Sequence, residues 1–171
     1  MIMTPYLRKF ALTAHVICSV GWLGAVASFL ALAIAGLTSQ DMQLARGVYL
    51  AMDLTARFVI VPLCLASLLT GMVSSLGTTW GLFRYYWVLI KFVITDLSTI
   101  ILLVHMRPIT RLADVAAVAS LSSADRRMQI QMVVAGGAAL LALLVTTTLS
   151  VYKPRGMTVY GWRKQQEQRT M

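Results

Sequence analysis

Four stretches of this chain are apolar for at least the ~20 residues a helix needs to cross a hydrocarbon core. They run from about Leu12 to Leu37, Leu54 to Leu76, Tyr85 to Met106 and Met128 to Tyr152. Lipid cannot pair with backbone N–H and C=O groups, so spanning segments must be helices or closed-barrel strands. These runs are too long and too continuous for strands. The expected fold is all-α: an integral membrane four-helix bundle over residues 1–152, followed by a basic polar tail at 153–171. Composition agrees, because only 12% of residues are charged where a soluble domain carries about 25%. The first run has a leader-like basic flank, Arg8 and Lys9, and an AIAG stretch at 33–36. It is far longer than the ~7–15 residues of a leader's apolar region, so it reads as a retained transmembrane helix.

The formal charge of +9 points to a lipid surface rather than nucleic acid, because the basic residues flank the apolar runs. Four spans put both termini on one side, called side A. That side holds Arg8, Lys9, Arg84, Lys153, Arg155, Arg163, Lys164 and Arg169; side B holds Arg46, Arg57, Arg107, Arg111, Arg126 and Arg127. Eight against six favours side A as cytoplasmic under the positive-inside rule, in a multi-pass plasma-membrane protein. The tail, YKPRGMTVYGWRKQQEQRTM, reads as a mobile topology anchor. Cys18 and Cys64 belong to no CxxC pair and read as buried free thiols.

Local signals refine the spans. The second helix is expected to start early, near Asp41, and Pro62 to kink it. LGTTWGLFRYYW at 76–87 reads as a tight interfacial turn with Trp80, Tyr85, Tyr86 and Trp87 in an aromatic belt. In the 108–127 connection, Ile109, Leu112, Val115 and Ala119 have helical spacing, which predicts a surface helix. Ser122 or Ser123 is placed to cap the fourth span. Asp53 and Arg57, four apart, suit a surface helix pair. Gly21 to Ala25, Gly24 to Ser28, and AGGAA at 135–139 are close-packing patterns for helices in lipid.

Polar residues inside the spans are the functional candidates. His15 and Trp22 are seven residues apart and share nearly one face at ~100° per residue. On the third span Arg84, Trp87, Lys91, Thr95, Ser98 and His105 fall within about 40° of one line. Such a stripe must face the bundle interior or a cavity. Asp96 points about 140° from Lys91, so the two are not an intrahelical pair. By depth, His15, Lys91 and Met72 lie near side A. His105 lies near side B, about 21 Å of helix rise from Lys91, so His15 and His105 cannot share one small ligand. Met132, and Met106 beside His105 in sequence, lie near the His105 level. The polar residues also have plain readings: His15 as an interhelical hydrogen-bonding group, Lys91 snorkelling to the interface, Met72 and Met132 as core. No GxSxG, Walker A or HExxH motif occurs.

LTAHVICSVGWLGAVASFLAL, with its early histidine, tryptophan and small residues, resembles the opening helix of HemJ-type protoporphyrinogen oxidases and of CopD-like membrane proteins. YYWVLIKFVITDLSTIILLVHM resembles their aromatic-then-lysine helix. Residues 12–107, best over FVIVPLCLASLLTGMVSSLGTTWGLFRYYWVLIK, also resemble a family of small bacterial four-span integral membrane proteins. The HemJ resemblance implies haem b near side A, with His15 as axial ligand and Lys91 near the macrocycle or a carboxylate. The wider HemJ polar set and any His- or Met-rich copper loop are missing. Bundle cores host cofactors and haem iron takes His or His/Met ligands, so His15 with Met72 is a candidate level pair and His105 a candidate second site. The expected function is that of a haem-binding, oligomeric bundle in electron transfer with a redox partner, or in haem sensing. The rivals are a structural or assembly protein, and a small transporter or proton-conducting bundle using Asp96, Lys91 and the Thr95–Ser98 stripe.

Overall fold

The computed structural model describes residues 3–77, 83–118, 123–154 and 156–169. It is an all-α bundle of four long apolar helical segments, each long enough to cross a membrane. Helix α1 is Pro5–Thr38, entered through a proline in its first turn, where the missing N–H leaves no helical bond unmade. Its 34 residues rise about 51 Å, well beyond a ~30 Å hydrocarbon core. The second span is α2, Met42–Thr55, then a π-helical turn, Ala56–Ile60, then α3, Val61–Leu76. Helix α4 is Tyr86–Val118, α5 is Ser123–Tyr152, and a short α6 is Val159–Arg169.

The early start of the second helix has its cause in Asp41, whose carboxylate accepts from the Gln43 backbone N–H at 2.8 Å, an N-cap. The π turn has its cause in Pro62, the second residue of α3. Proline supplies no N–H to the carbonyl four residues back and crowds it. One turn of wider i→i+5 bonding, closed by Val61 N–H to Ala56 O, lets the chain pass without breaking.

Helix α1 packs against α2, α3 and α5, and α4 packs against α2, α3 and α5. The core lies toward side B, where Trp22, Val26, Phe29 and Ala33 of α1 meet Val48, Tyr49 and Met52 of α2 and Ile109, Leu112 and Ala116 of α4. Lipid tails are as apolar as these side chains, so close packing and polar contacts hold the helices together rather than a hydrophobic drive. Gly36 shows the close fit: a Cβ there would sit 2.8 Å from the Tyr49 hydroxyl oxygen. Gly21 and Gly136 likewise meet neighbouring side chains, Leu63 and Leu30, whereas Gly24 and Gly137 meet none. The outward surface is rich in large apolar groups, among them Phe58, Leu69, Val104 and Leu141, as a lipid-facing surface requires.

Three expectations are corrected. The helix of the third span does not end at Met106, and 108–118 continues it rather than forming a separate surface helix. Helix α4 continues through Pro108 to Val118, and Ile109, Leu112, Ala113 and Ala116 bury there. Tertiary packing against α2 outweighs the proline. Ala119 and Ser122 lie outside the described residues, and Ser123 opens α5. Trp87 is not a belt residue but buried, while Tyr86 is exposed; Trp80 lies outside the described residues. The tail is not a free anchor. Met157 bridges Tyr85 in antiparallel fashion, Tyr86 N–H donates to Gly156 O at 3.3 Å, and Thr158 N–H donates to Arg84 O at 3.1 Å. Helix α6 is thereby docked beside the start of α4.

Candidate functional site

The intramembrane polar groups gather at two levels. Near side A, His15 of α1 faces α3. Its Nδ1–H donates to the Ser67 carbonyl at 3.0 Å, with Thr70 Oγ1 at 3.3 Å as a second acceptor. The Thr70 hydroxyl donates to Ala66 O at 2.6 Å, so its oxygen remains an acceptor. One turn along α1, the Ser19 and Ser67 hydroxyls share a hydrogen bond at 2.8 Å. Gly71 makes the approach possible: a Cβ there would lie 3.0 Å from His15 Cε1. Met72 is half-buried on α3, and the residues against the ring are Ser67, Thr70 and Gly71.

Lys91 Nζ lies 5.3 Å from the centre of the Trp87 ring, a cation–π contact. Arg84 precedes α4, and its carbonyl receives the Thr158 N–H. Deeper in the bundle, the Thr99 hydroxyl donates to Thr95 O at 2.8 Å and accepts from the buried Cys64 thiol at 3.1 Å. Cys18 and Cys64 are free thiols; only Cys64 is fully buried.

Near side B, His105 of α4 donates Nδ1–H to the Ile101 carbonyl one turn back, at 2.8 Å. Its Nε2 is 3.4 Å from the Gln131 amide nitrogen of α5. His105 and Gln131 sit on the wall of a cavity of about 410 Å³ between α1, α4 and α5. Trp22, Val26 and Phe29 line it from α1, Ser98 and Leu102 from α4, and Met132 from α5. The α5 side is otherwise small: Ala135, Gly136, Ala138, Ala139 and Ala142. Thus Trp22, expected to share a site with His15, instead belongs to the His105 level. The AGGAA patch leaves room for the cavity as well as packing one helix closely.

Both histidines donate Nδ1–H to a backbone carbonyl, so in the neutral imidazole the lone pair is on Nε2. Metal-ligating histidines commonly hold their other ring nitrogen in this way. Among the described residues, no group of three or more His, Cys, Asp or Glu side chains is placed to hold a bare metal ion. A haem brings four of its own nitrogen ligands and asks the protein for one or two axial groups. The cavity wall offers one imidazole, one buried thioether at Met132 and a mostly apolar lining.

The sequence reading missed Ser67, Thr70, Thr99 and Gln131. A signal existed for Ser67: Cys64, Ser67 and Gly71 are spaced three and four apart, a stripe of small residues on one face of the second span. In comparisons with known proteins, no family model, no curated protein and no solved structure matches this chain.

Proposed function

We propose that this membrane bundle binds haem b in the cavity between α1, α4 and α5, with His105 Nε2 as axial ligand, and serves one-electron transfer. The observation that carries the reading is the state of His105. Its Nδ1 is committed to Ile101 O, and its Nε2 stands on the wall of a largely apolar 410 Å³ space, opposed only by a long contact to Gln131. Met132, 1% exposed, also lines this space and would contribute a thioether to it. When bound, haem supplies an Fe(III)/Fe(II) couple. Trp22 and Phe29 line the space and would keep water from it, Ile101 O orients the His105 imidazole, and Gln131 would give up its contact with Nε2. His15 reads as an interhelical clasp, because Ser67, Thr70 and Gly71 enclose its ring. The chain is further read as a plasma-membrane protein with both termini cytoplasmic, self-associating through its lipid-facing helix surfaces.

The test is the visible spectrum of protein purified in mild detergent and reconstituted with hemin. The expected result is a Soret band, with α and β bands sharpening on reduction. His105→Ala is expected to abolish them, Met132→Leu to shift them, and His15→Ala to leave them in place while lowering the melting temperature. A colourless wild type that fails to take up hemin sinks the haem reading. Bands lost in His15→Ala but kept in His105→Ala move the site to side A.

A further inference from the structure

At the side-B end of the bundle, a groove of about 440 Å³ opens between the π turn and α4, lined by Arg57, Met106, Arg107, Thr110, Arg111 and Asp114. Three guanidinium groups face one carboxylate there. Arg57 is held from both sides. Its Nε–H donates to Asp53 Oδ2 at 2.8 Å, and its Nη2–H donates to Thr110 Oγ1 at 2.5 Å. The Thr110 hydroxyl in turn donates to Asp53 Oδ1 at 2.9 Å. Arg57 is thus oriented, while its Nη1 hydrogens carry no partner among the described residues. Arg107 and Arg111, one turn apart on α4 and both exposed, have no ion-pair partner among the described residues.

The floor below this cluster is hydrocarbon-facing. Ile100, Val104, Arg107 and Arg111 follow one another at helical spacing, and Ile100 and Val104 are 52% and 65% exposed. On the second span Phe58, which follows Arg57 toward the membrane interior, is 72% exposed. Apolar surface therefore leads directly up to three guanidinium groups, at the depth where the third apolar run ends. Guanidinium forks match phosphate geometry.

We infer that this groove binds the phosphodiester headgroup of an anionic glycerophospholipid, with the acyl chains lying along the Ile100–Val104 face and beside Phe58. A free phosphate would use the arginines but have no need of the apolar walls below them. The inference stands whether or not the haem reading holds.

The experiment is native mass spectrometry of the delipidated full chain in detergent, titrated with phosphatidylglycerol or phosphatidylcholine of equal chain length. Phosphatidylglycerol is expected to bind in preference. Arg107→Gln with Arg111→Gln is expected to weaken it about thirtyfold, the effect of removing two basic contacts at an anionic surface. The control Arg8→Gln with Lys9→Gln removes equal charge at the other end and is expected to change binding less than about threefold. The charge-preserving Arg107→Lys with Arg111→Lys is expected to keep the preference in weaker form. No preference between the lipids, or equal loss in the two glutamine variants, overturns the assignment. Displacement of phosphatidylglycerol by millimolar inorganic phosphate also overturns it, in favour of a free-anion site. That competition uses wild-type protein, so it decides the matter even where a variant fails to fold.

Discussion

At the scale of single residues, the two histidines look alike in sequence and differ in setting. Each sits in an apolar helix and each gives Nδ1–H to a carbonyl. His105 lines a cavity, whereas His15 is pressed against Gly71. Gly71→Ala is expected to push the imidazole off the Ser67 carbonyl. The strain of inserting a methyl into such a contact is about 1–3 kcal/mol, read as a lower melting temperature in detergent. The same variant is expected to leave any haem spectrum unchanged, because His105 lies in the other half of the membrane. A lost Soret band in Gly71→Ala would refute the division of labour between the two histidines. Sequence spacing found both histidines and Lys91, but it could not say which imidazole would be enclosed. That depended on which α3 residues slid past α1.

At the scale of elements, α4 is the informative case. Pro108 and the polar residues around it predict a break after Met106, yet the helix continues to Val118. Two features of neighbouring elements hold it. Ile109, Leu112 and Ala116 bury against α2, and Thr110 joins the Asp53–Arg57 ion pair. Removing the hydroxyl by Thr110→Val leaves Asp53 and Arg57 with each other alone. Interhelical hydrogen bonds in membrane proteins contribute about 0.6 kcal/mol on average and up to ~1.7, and this one joins charged groups. Hydrogen exchange over residues 109–118 is expected to quicken by about threefold to tenfold, while exchange over 92–104 stays the same. Unchanged exchange at 109–118 would mean that apolar packing alone carries the helix past Pro108. The Asp53–Arg57 pair was legible from i,i+4 spacing; Thr110, 53 residues further on, was not.

At the scale of the whole molecule, four spans and a docked tail make a bundle with polar chemistry at two depths and a lipid-facing exterior. The tail is held by Thr158, whose hydroxyl donates to Phe83 O at 2.5 Å and also accepts the Gly161 N–H at 3.1 Å as the cap of α6. Thr158→Val removes both bonds. A lost cap is worth about 1 kcal/mol, so the undocked form is expected to rise about fivefold. Trypsin cleavage at the exposed Arg163 measures it, because cleavage follows the population of the open form; an unchanged rate would mean that the Tyr85–Met157 bridge holds the tail by itself. The sequence alone determined the membrane class, the four spans, the early start at Asp41 and the candidate polar residues. Hydrocarbon-spanning length, backbone satisfaction and helical period are local properties that any such chain obeys. Tertiary structure decided the rest: that α4 runs through Pro108, that the tail docks, that Trp22 joins His105 rather than His15, and that Arg57, Arg107 and Arg111 share a groove. Each of these is a meeting between residues far apart in the chain. The relative rotation and register of packed helices, which one-dimensional periodicity leaves free, is fixed by close contacts such as Gly36 on Tyr49 and Gly71 on His15.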